Sequence, residues 1–166
     1  DDHGNTAATV DVMILYTAAA RINRGGSAAM VFAANQAINW TNQAFRNSQV
    51  DLAFRLAHVQ EVRYSESGNS STELTRLQNP SDGFMDEIHA LRDTYAADIV
   101  SMWFEGQGWE VGGQAFGGGG GWADKAFNVC SSSVDFGASW ISHCFAHECG
   151  HNMGCGHARD QDQQPG

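Results

Sequence analysis

The chain has 166 residues, 42% of them apolar and 10% aromatic, which is the length and composition of one compact domain. Lys and Arg number 9 against 19 Asp and Glu, a net charge of −10 with Lys125 as the only lysine, so the surface repels phosphate backbones and anionic headgroups. No nucleic-acid partner and no membrane partner are expected, and the longest apolar stretches, Val12 to Tyr16 and Ser27 to Ala34, fall far short of the roughly 18 residues of a membrane span.

The polar start, Asp1-Asp2-His3-Gly4, has neither the basic nor the apolar region of a secretory signal, so an exported protein would be present here as its processed form. Residues 8 to 17 (ATVDVMILYT) are β-branched and mostly apolar, the pattern of a central strand buried on both faces. Gly25-Gly26 breaks the chain. Ser27 is then placed to cap a helix running to about Asn47, with Met30, Val31, Ala34, Ala37, Ile38, Thr41 and Phe45 at helical spacing. Residues 51 to 66 alternate as a second strand, and Ser71 to Leu77 reads as a short helix ended by Asn79-Pro80. A helix over Asp82 to Tyr95 and a buried strand over Ala97 to Phe104 complete a βαβαβ order, which calls for a parallel sheet with crossover helices. A glycine-rich segment (106–122), a strand around Ala126 to Ser131 and a last helix from about Trp140 follow.

The five glycines Gly117 to Gly121 lack the G-x-x-x-x-G-K-[ST] pattern of a phosphate loop and read as a bulged or flexible edge strand. An exposed edge accepts an extended peptide as one more strand, so substrate is expected antiparallel along residues 113 to 122, against Gly117, Gly118, Gly119 and Gly120. Trp103, Trp109 and Trp122 flank this segment and read as packing residues; His3, His58 and His89 have no metal-ligand spacing.

The chemistry is concentrated in residues 147 to 157, His-Glu-Cys-Gly-His-Asn-Met-Gly-Cys-Gly-His, which is H-E-x-x-H extended to H-E-x-x-H-x-x-G-x-x-H. At about 100° per residue, His147 and His151 lie one turn apart on one helix face, so both imidazoles reach one ion. Glu148 stands beside that face, able to hold a water without being a ligand. In a continuing helix His157 would lie about 9 Å beyond His151, so the helix must stop, and Gly154 supplies the left-handed residue that turns His157 back. Three imidazoles with one open position make a catalytic rather than a structural zinc site. His143 and Cys144 lie near the metal side and are secondary ligand candidates.

This motif resembles that of the metzincin zinc peptidases at every fixed position. Asn152-Met153, the Leu-Tyr-Thr strand end at residues 15 to 17 and Thr-Asn-Gln-Ala-Phe at 41 to 45 are similar to bacterial reprolysin-like peptidases. The resemblance implies an α/β fold: a twisted, mostly parallel five-stranded sheet with an antiparallel edge strand, a backing helix and an active-site helix. It also implies a zinc-dependent endopeptidase with a peptide or protein substrate, one catalytic zinc, and Glu148 as the base that activates the attacking water. The residues specify no calcium site. Two departures stand out: Ala158, not Asp, follows the third histidine, and no methionine turn follows within the 166 residues, because Met153 lies inside the helix-turn. Residues 1–166 are therefore expected to be mainly the N-terminal subdomain of a metzincin-like catalytic domain, its other wall a C-terminal segment of the same precursor. The alternative is a catalytically silent zinc-binding fragment, although zinc ligation alone does not call for Glu148.

The four cysteines, Cys130, Cys144, Cys149 and Cys155, fall in one corner of the sequence and point to disulfides and a secreted protein. If Gly154 ends the helix in a Schellman motif, Cys155 packs back on Cys149, predicting a Cys149–Cys155 bridge and leaving Cys130 for Cys144 or for a residue beyond Gly166.

Overall fold

The computed structural model describes residues 8–117, 123–137 and 139–157. Strand β1 (Ala8–Tyr16) is buried from Val12 to Tyr16, in keeping with its unbroken apolar run. It ends at Thr17, whose hydroxyl accepts from the Ala20 amide and so starts a helix that the apolar pattern did not reveal, α1 (Ala18–Arg24), closed by Gly25 at φ 90°. The long helix α2 (Ser27–Asn47) has the expected bounds, but its N-cap is Gly26 without a side-chain cap, and Ser27 is already helical. Strand β2 (Leu52–Glu61) stops short of residue 66, and α3 (Ser70–Gln78) is capped by Asn69, whose side chain accepts from the Thr72 amide.

The next helix, α4 (Glu87–Thr94), starts later than its spacing implied. Gly83 and Met85 take φ of 85° and 57°, and the Asp86 carboxylate accepts from the Gly83 amide, so residues 82 to 86 form a turn rather than a helical first turn. Strand β3 (Ile99–Phe104) is buried throughout, β4 (Gly113–Ala115) is three residues inside the glycine-rich stretch, and β5 (Phe127–Ser131) leads towards α5 (Trp140–Asn152).

The sheet order is β2-β1-β3-β5-β4, parallel except for β4, which runs antiparallel to β5 at the edge. Alternation along β1 divides the core in two. Val12, Ile14 and Tyr16 face a layer containing Met30, Ala34 and Ile38 of α2 and Ile141 and Phe145 of α5, while Met13 and Leu15 face Leu74 and Leu77 of α3 and Ile88 of α4. The sheet thus separates two helical layers, and α5 lies on the α2 side against β5 with the edge strand β4 beside it. Among the described residues, no helix is long and apolar enough to cross a membrane.

Candidate metal centre and cleft

Helix α5 is held by Ile141, Cys144, Phe145 and Cys149, all buried in the α2-side core, which leaves the edge carrying His147 and His151 outward. The helix ends as its glycine demands. Gly154 has φ 94°, its amide donates to the His151 carbonyl at 2.9 Å, and the Cys155 amide donates to the Gly150 carbonyl at 2.9 Å, which is the hydrogen-bond pair of a Schellman motif. The turned chain brings His157 back over the helix.

The three Nε2 atoms form a small triangle, 3.0 Å between His147 and His151, 3.0 Å between His151 and His157 and 3.2 Å between His147 and His157. Ligand bonds of about 2.0 to 2.1 Å in tetrahedral geometry require nitrogens about 3.3 Å apart, so this face fits one zinc-sized ion. Its donor chemistry fits too. His151 Nδ1 lies 2.8 Å from the Cys155 carbonyl, an atom that can only accept; Nδ1 therefore carries the proton and Nε2 keeps its lone pair for a cation. Burial holds the His147 imidazole below its usual pKa, with His151 and His157 adding to the shift, which favours the neutral, ligating form.

Glu148 lies on the inner side of this face and is 5% exposed. Burial pushes its carboxyl up to about 7, with His151 acting in the opposite sense. A carboxyl at that value can exchange a proton in either direction near neutral pH. Edge strand β4 closes over it: a Cβ on Gly113 would stand 2.6 Å from Cys144 Sγ and 2.8 Å from Glu148 Oε1, and one on Gly112 would meet the Trp140 ring at 2.1 Å. Only a residue without a side chain lets the strand backbone lie this close to the helix. Between β4 and α5 a cleft of about 620 Å³ opens, bordered by Gly113 to Ala115 and Gly117 on one side and by Trp140, His143, Glu148 and the three histidines on the other. Of the glycines expected to line a substrate, Gly117 is on this rim, whereas Gly118, Gly119 and Gly120 lie outside the described residues.

The secondary ligand candidates are otherwise engaged. Cys144 Sγ donates to the Gly112 carbonyl at 3.2 Å, and His143 Nδ1 lies 3.0 Å from the Ser139 carbonyl. Among the described residues, the group whose geometry could hold an ion is His147, His151 and His157. Trp103 is fully buried and packs in the α2-side core, as expected of it; Trp109 packs on the opposite core, and Trp122 lies outside the described residues.

The expected Cys149–Cys155 bridge is not formed: all four cysteines are free thiols. The backbone turn behind that expectation is present, but Cys149 points into the core, where Asn128 Nδ2 lies 3.5 Å from its sulfur, while Cys155 is exposed beyond Gly150. Cys130 and Cys144 are both buried, and burial, followed by the neighbouring Cys144, raises the Cys130 thiol well above its ordinary pKa.

Sequence reasoning assigned no structural part to Asn152. Its Oδ1 accepts from Asn128 Nδ2 at 2.9 Å, and its Nδ2 faces the carbonyls of Phe127, Lys125 and Phe116 at 3.0, 3.1 and 3.3 Å. Asn128 in turn accepts from Ser101 Oγ at 2.6 Å, and Ser101 Oγ also accepts from Trp103 Nε1 at 3.0 Å. One amide thereby ties the residue after His151 to β5, to β3 and to the exit of β4. The signal was an asparagine among Phe127, Val129 and Cys130 of a strand buried throughout, because a buried amide requires partners.

Known proteins can be compared with this geometry. Peptidyl-Asp metalloendopeptidase of Stenotrophomonas maltophilia strain K279a is 36% identical over 162 residues, which cover 96% of this chain and 37% of that protein. The protein of the same name from Pseudomonas aeruginosa is 30% identical over 162 residues, covering 93% of this chain and 26% of that one. The chain thus spans well under half the length of these curated relatives. In fold it is similar to metalloproteinase-II from Bacteroides fragilis, with a TM-score of 0.56 at 16% identity over 95% of this chain and 46% of that one. A profile of the metallo-peptidase family M12 matches residues 6–166, so the motif read from residues 147 to 157 sits within a likeness that spans nearly the whole sequence, and the chain belongs to that family.

Proposed function

We propose that the protein is a zinc-dependent endopeptidase acting on peptides at aspartate, the bond class stated in the names of its bacterial relatives. The observation that carries this reading is the triangle of three Nε2 atoms with the buried Glu148 carboxyl beside it. His147, His151 and His157 would hold the ion, which supplies Lewis acidity towards the scissile carbonyl and its attacking water. Glu148 takes the proton from that water and passes it to the departing amine. Among the described residues, strand β4 is paired with β5 on one side only, and an extended substrate adds antiparallel to its other edge, offering its backbone groups to Gly113, Gln114 and Ala115 and running on past Gly117. Trp140 and the glycine rim border the cleft in which the reacting groups lie. A methionine-turn segment forming the facing wall remains part of the proposal.

The alternative, a module that holds metal without turnover, leaves the burial of Glu148 without a purpose. An aspartate-containing peptide incubated with the purified protein separates the two. Cleavage is expected to stop when a chelator removes the metal and to return on adding zinc; zinc-loaded protein that leaves the peptide intact supports the silent module.

The strand-over-helix packing makes a second test. Gly113→Ala places a methyl against Glu148 and Cys144 and is expected to lower turnover about 100-fold through displacement of the carboxyl, with metal content retained. Turnover at the wild-type level would show that β4 yields and that Glu148 does not depend on it.

A further inference from the structure

We propose that His143 reads the acidic side chain of the substrate, an inference that rests on the peptidase reading above and assigns its specificity. The chain is strongly acidic, so a carboxylate entering the cleft needs a local cation. Among the described residues lining the cleft, His143 is the one basic side chain outside the three-histidine cluster. It lies one helical turn before His147, about 6 Å along the axis. An extended chain advances about 3.3 Å per residue, so a side chain flanking the scissile bond reaches that position.

The ring is also oriented for the task. Nδ1 lies 3.0 Å from the Ser139 carbonyl, which can only accept, so Nδ1 carries a proton. The ring stands edge-on to Trp40 of α2 at 5.1 Å between centroids and 89° between planes, which fixes its tilt. With Nδ1 committed, a neutral ring turns the lone pair of Nε2 outward and repels a carboxylate, whereas the imidazolium offers Nε2–H as a charged donor. An acidic side chain bound at Nε2 pairs with the imidazolium form of the ring, beside the Trp140 ring that lines the same cleft. An asparagine in the same place forfeits the charge and is discriminated against.

The test uses two peptides that differ only in aspartate or asparagine beside the cleaved bond. The readouts are the ratio of their kcat/KM values and the ratio of their dissociation constants on the Glu148→Gln protein. Wild type is expected to favour aspartate. His143→Gln should reduce both ratios at least about tenfold, chiefly through KM, and His143→Arg should restore part of the preference by restoring a cation. A strong wild-type preference that survives His143→Gln overturns the assignment and leaves the peptidase reading standing. A wild type with no preference overturns both the assignment and the aspartate reading.

Discussion

His157→Ala is expected to weaken zinc binding by more than about 100-fold. Loss of residues that merely orient a ligand costs 10- to 100-fold, and removing one of three ligands exceeds that. His157 is also the ligand whose position depends most on the turn: it lies beyond the helix and meets the other two only because Gly154 adopts φ 94° and the Cys155 amide bonds back to Gly150. Titration of the metal-free protein with zinc, followed by a competing chelator of known affinity, measures the change. Unchanged affinity would remove His157 from the metal site. The helical fold should survive, because His157 is exposed and lies outside α5, so far-ultraviolet circular dichroism distinguishes metal loss from unfolding.

Glu148→Gln is expected to reduce kcat by about 10²- to 10⁴-fold while zinc stays bound. Glutamine keeps the volume that fits beneath Gly113, so packing of β4 against α5 is preserved, but an amide cannot take a proton from water. Metal content by elemental analysis and kcat on one peptide, measured on the same preparation, give the result. A variant with substantial residual turnover would place the base elsewhere in the cleft. Loss of zinc together with activity would make Glu148 part of the metal-holding structure instead.

Much of this site is legible in residues 147 to 157 because its geometry is local. A period of 3.6 residues puts His147 and His151 on one face whatever surrounds the helix, and a glycine at 154 is what a left-handed helix end requires. The βαβ order was legible for the same kind of reason: the apolar runs in β1 and β3 are buried on both faces, and only a sheet covered by helices on both sides offers that environment. Elsewhere local signals compete. Apolar spacing over residues 82 to 95 resembled one helix, but the turn chemistry of Gly83 and Asp86 prevailed at its start, and the cap at Thr17 made a helix that an alanine-rich segment had not announced.

By itself the sequence determined the three-histidine cluster as a set, the class of sheet and the helix end that folds His157 back, since each follows from backbone periodicity or from the allowed φ of one residue. Only the tertiary structure decided what lies across from them. It buried Glu148 under Gly113, sent Cys149 into the core and Cys155 to the surface, clamped Asn152 to Asn128, and set His143 in the cleft with its Nδ1 engaged. These contacts join residues far apart in the chain or depend on which helix face the sheet covers, and their energies come from packing and desolvation, which have no period along the sequence.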